Sequence, residues 1–299
     1  MNKNLIVVLG PTGIGKTRIG IQIAKNFNTE IISADSRQIY NELNIGTAKP
    51  SSFELAEVKH HFIGHKSIQN YYNAYVFEVE ALELIDEIFI EKNAVLLVGG
   101  SMLYIDAVCN GIDDLPTIDA EIRENLKERY QNEGLESIRR ELLKIDPEFY
   151  HKVDLKNHKR ILKALEVYYM TGKPYSSFLT HQKKERSFHI IKIGLNMPRE
   201  ELYEKINLRV DMMIENGLIE EAQRFYQQKA LNALNTVGYK ELFEYFEGNI
   251  TKDKAIELIK RNSRHYAKRQ LTWFKRDDAI HWFHPAEEEN IINFLKAQL

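Results

Sequence analysis

Leu5-Ile6-Val7-Val8-Leu9 runs directly into Gly10-Pro11-Thr12-Gly13-Ile14-Gly15-Lys16-Thr17. The apolar run reads as a strand buried on both faces of a parallel sheet. Ile19, Ile23, Ala24 and Phe27 then recur at helical spacing. The glycine-rich stretch therefore joins a strand end to a helix N-terminus, where backbone N–H groups and the helix dipole favour anions. Gly10, Gly13 and Gly15 allow the backbone to wrap closely around phosphate oxygens. Lys16 adds a point charge, and the Thr17 hydroxyl suits a magnesium ion. The stretch reads as a phosphate-binding P-loop.

Working outward, further strands are predicted at Glu30–Ala34 and Ala94–Val98, alternating with helices at Lys16–Phe27 and Tyr75–Glu91. Such alternation implies a parallel α/β sheet. A fourth strand, Ile190–Leu195, comes only after a long stretch of helical periodicity. The expected organisation is a P-loop NTPase-like core over 1–111 and 190–299, interrupted by a helical insertion at 112–189. Helices are predicted at Pro198–Asn216, Leu218–Gln228 and Tyr239–Phe246. A long one follows from Thr251, its N-cap, to about Arg276, then a short strand at Ala279–Phe283.

The 299 residues carry a net charge of −2, so overall charge does not announce a nucleic-acid partner. The single cysteine, Cys109, excludes an internal disulfide framework and fits a reducing cytoplasm. The chain enters a strand at once, which reads as no signal peptide. No apolar run reaches the roughly 20 residues that span a bilayer. A monomer in the cytoplasm is the expectation.

P-loops serve many nucleotide- and ATP-binding proteins, so the motif does not choose a reaction. Nucleotide hydrolases usually add a strand ending in a magnesium-linked aspartate. Here the strand Ala94–Val98 ends in Gly99-Gly100-Ser101. The carboxylate follows the second strand instead, in Ser33-Ala34-Asp35-Ser36-Arg37-Gln38. That position is at the carboxyl edge of the sheet, where ligands bind in such folds. Asp35 reads as a general base or metal-linked carboxylate, or else as the cap of an ordinary turn. Ser101 can donate to a ligand or simply close a tight turn. Arg209 is either a surface arginine stretched along its helix or a bidentate diphosphate donor. His60, His61 and His65 lack partners at metal-ligand spacing and read as polar wall or turn residues.

Local charge is uneven. Between His151 and His189 lie nine lysines and arginines, among them Lys156, Lys159, Arg160, Lys163 and Arg186, against Asp154, Glu166 and Glu185. The long final helix repeats the imbalance, from Lys252 to Arg276, with Tyr266, Trp273 and Phe274 interleaved. Two such clusters in a chain of slightly negative charge suggest a track for a polyanion.

These segments together closely resemble bacterial tRNA dimethylallyltransferases, also called tRNA isopentenyltransferases. The resemblance rests on residues 10–17, on Ser33 to Tyr40, on Gly46-Thr47-Ala48-Lys49-Pro50 and on His60-His61. It continues through Val98 to Tyr104, Leu165 to Tyr168, Val237 to Glu241 and Ala267 to Phe274. It covers nearly the whole chain in order. Ser101 stands where that family often has Thr, and Tyr71–Tyr75 replaces a commoner Ser- or Ala-rich stretch. The resemblance implies transfer of a dimethylallyl group from dimethylallyl diphosphate to N6 of the adenine just 3′ of a tRNA anticodon. Asp35 then corresponds to the general base, and Thr17 with Gly10 to Lys16 to the diphosphate and Mg2+ site. Arg209 corresponds to a diphosphate-binding arginine. Asp35 to Gln38 (through Ser36 and Arg37), Ser101, Arg123, and Lys159-Arg160-Ile161-Leu162-Lys163 correspond to segments that touch tRNA. The insertion would hold the anticodon stem-loop. A small-molecule kinase, a prenyltransferase acting on free AMP and a non-catalytic RNA-binding NTPase are the rivals. The first two have no need of two basic tracks, and the third has no need of Asp35.

Overall fold

The computed structural model describes residues 3–116, 118–180 and 182–299. In chain order the elements are β1 (Asn4–Leu9), α1 (Lys16–Asn26), β2 (Ile31–Ala34), α2 (Ser52–Glu57), β3 (His60–His61), α3 (Ala74–Glu91), β4 (Ala94–Gly99) and α4 (Met102–Asn110). Then come α5 (Ala120–Ile145), α6 (Pro147–Lys152) and α7 (His158–Thr171). The chain continues through β5 (His189–Leu195), α8 (Arg199–Glu215), α9 (Leu218–Arg224), α10 (Tyr239–Phe246), α11 (Lys252–Phe274), β6 (Ile280–Phe283) and α12 (Glu288–Gln298).

Two compact units emerge. The core unit comprises Met1–Asn110 and Glu185–Leu299, and the helical unit Gly111–Lys184. The helical unit thus ends earlier than the expected 189, because His189 already begins β5, its N–H donating to Lys3 O at 2.9 Å. Arg186, counted above with the basic insertion, belongs to the core. Its guanidinium is 10% exposed and donates to Glu78 at 2.8 Å and to the Ala107 and Val108 carbonyls.

The core sheet has the order β3-β2-β4-β1-β5-β6, with every pairing parallel. The pleat of β1 sends Leu5, Val7 and Leu9 into one apolar layer with Phe77, Ala81 and Ile85, and Ile6 and Val8 into the other with Ile19, Ile23 and Leu202. These five apolar side chains of β1 are at most 1% exposed, each contributing about 1.5–3 kcal/mol by burial. Period-2 alternation vanishes from the sequence because both faces are covered. The short strand β3, missing from the sequence expectation, is the pair His60-His61 itself, docked beside Ile31 and Ile32.

Register decides where the site lies. Leu9 and Ala34 both pair with Gly99. The next residues along these three strands, Gly10, Asp35 and Gly100, therefore emerge side by side at one edge. The helical unit has its own small core, in which Leu126, Ile138, Leu142, Ile161 and Leu165 interlock. Gly134 breaks the regularity of α5 with φ 80°. No helix among the described residues is long and apolar enough to cross a membrane.

At Gly99, paired with Ala34 of β2, an added Cβ would lie 2.2 Å from Ala34 O, a backbone atom that cannot swing aside. Gly99→Ala is expected to destabilise the core by about 3 kcal/mol, at the upper end of overpacking costs. Chemical denaturation of variant and parent checks this.

Candidate active site at the carboxyl edge of the sheet

The P-loop leaves β1 at Gly10 and enters α1 at Lys16, with Gly10, Gly13 and Gly15 at φ 154°, 80° and 96°. Only glycine adopts such a sequence of positive angles without strain. The Lys16 ammonium turns back on its own loop, donating to Gly10 O at 3.0 Å and Pro11 O at 2.8 Å. Burial pushes it down to about 8, with the Asp35 carboxylate opposing the shift and the Arg209 charge adding to it. Arg209 comes from α8 and donates to Thr12 Oγ1 at 3.1 Å. Burial lowers its pKa also, against the attraction of Asp35. Of the two readings left open for Arg209, the geometry favours the inward one.

Asp35 forms a tight turn of its own. Its Oδ1 accepts the Arg37 N–H at 2.9 Å and the Gln38 N–H at 3.3 Å. The turn holds the carboxylate still, and among the described residues no donor engages Oδ2, its second acceptor. Ser101, 7% exposed, accepts the Ser36 N–H at 2.8 Å. It thus ties the Asp35 turn to the start of α4, whatever its own proton reaches. The Gln38 amide is spent on the Thr47 and Ala48 carbonyls at 3.2 and 3.0 Å, and the Arg37 guanidinium on Asn232 O at 3.0 Å. The turn residues read above as nucleic-acid contacts thus also carry the local scaffold.

Two adjoining cavities of about 280 and 490 Å3 meet here. The smaller is walled by Gly13, Lys16, Thr17, Gly100 and His60. The larger opens past Arg37, Asn235, Lys240, His265 and Arg269. Thr12, Asp35, Thr47, Arg209 and Tyr266 line both. An anion on the P-loop in the small cavity would face, across Asp35, whatever enters the large one.

The surrounding loop is fixed by a buried acid. Glu221, 6% exposed, accepts the Asn44 and Ile45 N–H groups at 2.9 Å each, the Gly46 N–H at 2.8 Å and the Tyr239 hydroxyl at 2.6 Å. Glu241 closes the next turn, accepting Gly238 N–H at 2.8 Å and Asn262 Nδ2 at 2.7 Å.

The chain as a whole is similar to known proteins. A family model described as IPP transferase matches residues 38–277. The chain belongs to the IPP transferase family. It is 54% identical to a tRNA dimethylallyltransferase 1 of Bacteroides fragilis over 99% of both chains. A crystal structure of a tRNA isopentenylpyrophosphate transferase from Bacillus halodurans superposes with a TM-score of 0.71 at 36% identity, covering 99% of this chain and 96% of that one. A eukaryotic dimethylallyltransferase acting on tRNA reaches 0.80 at 27% identity, covering 94% of this chain and 74% of that one.

Several further residues of this IPP transferase escaped sequence reading. Tyr266 and Gln270 sit on the inner side of α11, and Gln270 is 1% exposed. The signal was present: Ala255, Ile259, Ala267, Gln270 and Phe274 form one buried stripe, in which a glutamine is the odd member. Thr47 and Glu221 gave no local signal. The three histidines lie apart in function. His60 Nδ1 is 2.8 Å from Val58 O, His61 Nε2 is 2.6 Å from Glu30, and His65 Nε2 is 3.7 Å from Glu80. Among the described residues no group of three His, Cys, Asp or Glu could hold a metal.

The basic tracks are also thinner than they read. On α11, Lys260 pairs with Asp211 at 2.6 Å and Arg264 donates to Asn207 at 2.6 Å, while Lys268 and Arg269 stay exposed. On α7, Lys156 lies just before the helix and is exposed, as are Lys159 and Arg160. Lys163 lies 3.9 Å from Glu166, which also meets Arg123 at 3.3 Å. Ile161 is fully buried and Leu162 half-buried in the core of the helical unit. Ile161 thus has no side-chain surface for a nucleic-acid contact.

Because Lys16 loses its proton near pH 8, inorganic pyrophosphate should bind fully below that pH and weaken as pH rises through it, by up to about tenfold per unit. Calorimetric titrations between pH 7 and 9 check this. The Lys16→Met variant should bind weakly and lack the Lys16 inflection, which separates it from titration of the ligand itself.

Proposed function

We propose that this enzyme transfers a dimethylallyl group from dimethylallyl diphosphate to N6 of the adenine at tRNA position 37, releasing diphosphate. The observation that carries the reading is the meeting of the two cavities at Asp35 and Arg209. A carboxylate stands between an anion cradle and a second, larger opening. The absence of an aspartate at the end of β4, replaced by Gly99-Gly100, speaks against ordinary nucleotide hydrolysis.

The chemistry follows. The adenine amino group is a weak nucleophile because its lone pair is delocalised into the ring. In the step, that lone pair forms the N6–C1 bond, the C1–O bond breaks, and its electron pair leaves with the diphosphate. Asp35 Oδ2 accepts the N6 proton, which restores a neutral amine. Lys16, Arg209 and the P-loop N–H groups receive the charge that builds on the leaving oxygens. The base must leave its stack in the anticodon loop to enter the large cavity.

Thr17 offers a hydroxyl at the cavity wall. This sparse oxygen set fits Mg2+, which keeps most of its shell for substrate phosphates and water. When bound, Mg2+ would neutralise charge on the diphosphate.

The helical unit supplies tRNA contacts through Lys159 and Arg160, with Arg123 and Lys163 shared with Glu166. The core adds Arg37, Lys268 and Arg269. Dimethylallyl diphosphate and the anticodon stem-loop are the substrates, and the enzyme acts as a cytoplasmic monomer.

The test incubates the protein with dimethylallyl diphosphate and unmodified tRNA, AMP or ATP, and weighs the products. A five-carbon addition to tRNA alone is expected. Addition to AMP alone, or hydrolysis of ATP dependent on Lys16 without prenyl transfer, would overturn the reading. Asp35→Ala should lower turnover by about 10²- to 10⁴-fold, the usual worth of a positioned base, with stem-loop affinity largely kept; single-turnover kinetics measures the first and a binding titration the second. The Lys159→Ala, Arg160→Ala double variant should weaken stem-loop binding. Its slope of log affinity against log salt should fall by roughly 0.7–0.9 per lost phosphate contact. Equal slopes in variant and parent would put the RNA elsewhere.

A further inference from the structure

We propose that Gln270 is a positioning residue that sets the diphosphate clamp in register with the Asp35 turn; the idea rests on the functional reading above and deepens it. Gln270 projects from near the C-terminal end of α11 and is 1% exposed. Its Oε1 accepts the Thr12 N–H at 2.8 Å, and its Nε2 donates to Gly100 O at 2.8 Å. One planar amide thus joins the P-loop after β1 to the glycine turn after β4. Both joined residues act at the site. Thr12 holds Arg209 through its hydroxyl at 3.1 Å, and Ser101, next to Gly100, holds the Ser36 N–H at 2.8 Å. A single path therefore runs from Arg209 through Thr12, Gln270 and Gly100-Ser101 to the turn that carries Asp35.

The chemistry of the site demands an amide. Thr12 presents a donor and Gly100 an acceptor, so the bridging group needs one of each at a fixed spacing. Glutamate would face Gly100 O with a second acceptor, and an apolar side chain would leave both backbone groups unpaired in a buried place. Space is equally restricted. A Cβ on Gly100 would lie 2.4 Å from Gln270 Nε2 and 3.4 Å from Lys16 Nζ, so the glycine there is a condition of the bridge. The buried stripe of α11 would accept a leucine or methionine for packing alone, and that makes the glutamine informative.

The experiment compares the parent with Gln270→Met, which keeps length and volume and removes both hydrogen bonds. Three quantities are read: the dissociation constant of inorganic pyrophosphate, KM and kcat with dimethylallyl diphosphate at saturating tRNA, and stem-loop affinity. The expected result is about a tenfold weaker pyrophosphate constant, a KM raised by a similar factor, a kcat lowered tenfold or more, and unchanged stem-loop affinity. Pyrophosphate and kcat values equal to the parent's, or equal weakening of pyrophosphate and RNA binding, would overturn the proposal. A merely structural role lowers thermal stability and leaves the pyrophosphate constant of the folded protein untouched. Should Gln270→Met fail to fold, Gln270→Leu, also apolar and uncharged, removes the same two bonds and answers the same question, with the same outcomes expected. A parent that binds pyrophosphate yet prenylates no tRNA would sink the functional reading, while the pyrophosphate comparison still decides the role of Gln270.

Discussion

The Glu221 carboxylate is buried, among the described residues no basic group is close enough to form an ion pair with it, and much of the site's outer wall depends on it. Four donors compensate its charge, three of them consecutive backbone N–H groups at Asn44, Ile45 and Gly46. Fixing three successive amides against one acceptor leaves the loop almost no freedom. The same contact forces Gly46 against the Tyr239 ring, where an added Cβ would come within 2.6 Å. Next along the chain, Thr47 and Ala48 offer their carbonyls to Gln38, and Gln38 donates its N–H to Asp35. The position of Asp35 is thus set from α9, an element far downstream. Removing a partner from such a group leaves a buried charge uncompensated, which costs far more than the bond itself contributes.

The sequence was most legible where local rules suffice. A glycine-rich turn between an apolar strand and a helix has one geometry, so the P-loop and its edge of the sheet followed from residues 5–17. Asp35 followed too, because a strand-end carboxylate on that edge has few other places to be. Arg209 stayed ambiguous, since an arginine on a helix looks alike whether it faces inward or outward. Charge counting overstated the basic surface, because the acids that neutralise Lys260 and Arg186 lie on other elements, Asp211 and Glu78. The strand at His60-His61 is too short for any pattern. Thr47 and Glu221 act through tertiary contacts that no spacing reveals.

The electrostatics of the site are a compromise between binding and stability. Two cations, Lys16 and Arg209, are packed near one carboxylate before any substrate arrives, and burial disfavours the charge on both. The unfolded chain keeps the Lys16 proton to about pH 10.4, whereas the folded chain releases it near 8. The penalty is therefore fully present below pH 8 and is relieved as pH rises between these values. A polyphosphate anion on the P-loop would supply the missing counter-charge, so that anion binding there and core stability would be thermodynamically linked. The loop meanwhile satisfies Lys16 with its own Gly10 and Pro11 carbonyls.

The buried Arg186 has a consequence for how this architecture can change over time. It stands just after the core resumes at Glu185 and grips the last turn of α4, donating to Ala107 O at 2.7 Å and Val108 O at 2.9 Å. A cation there also suits the negative end of the helix dipole. The points where the chain leaves the core and returns to it are therefore tied together by the core's own atoms. Closing the excursion costs entropy that grows only slowly with its length. Residues 111–184 could be lengthened, shortened or exchanged for a different module with little burden on the sheet. Such a junction makes the insertion a replaceable tool on a constant handle.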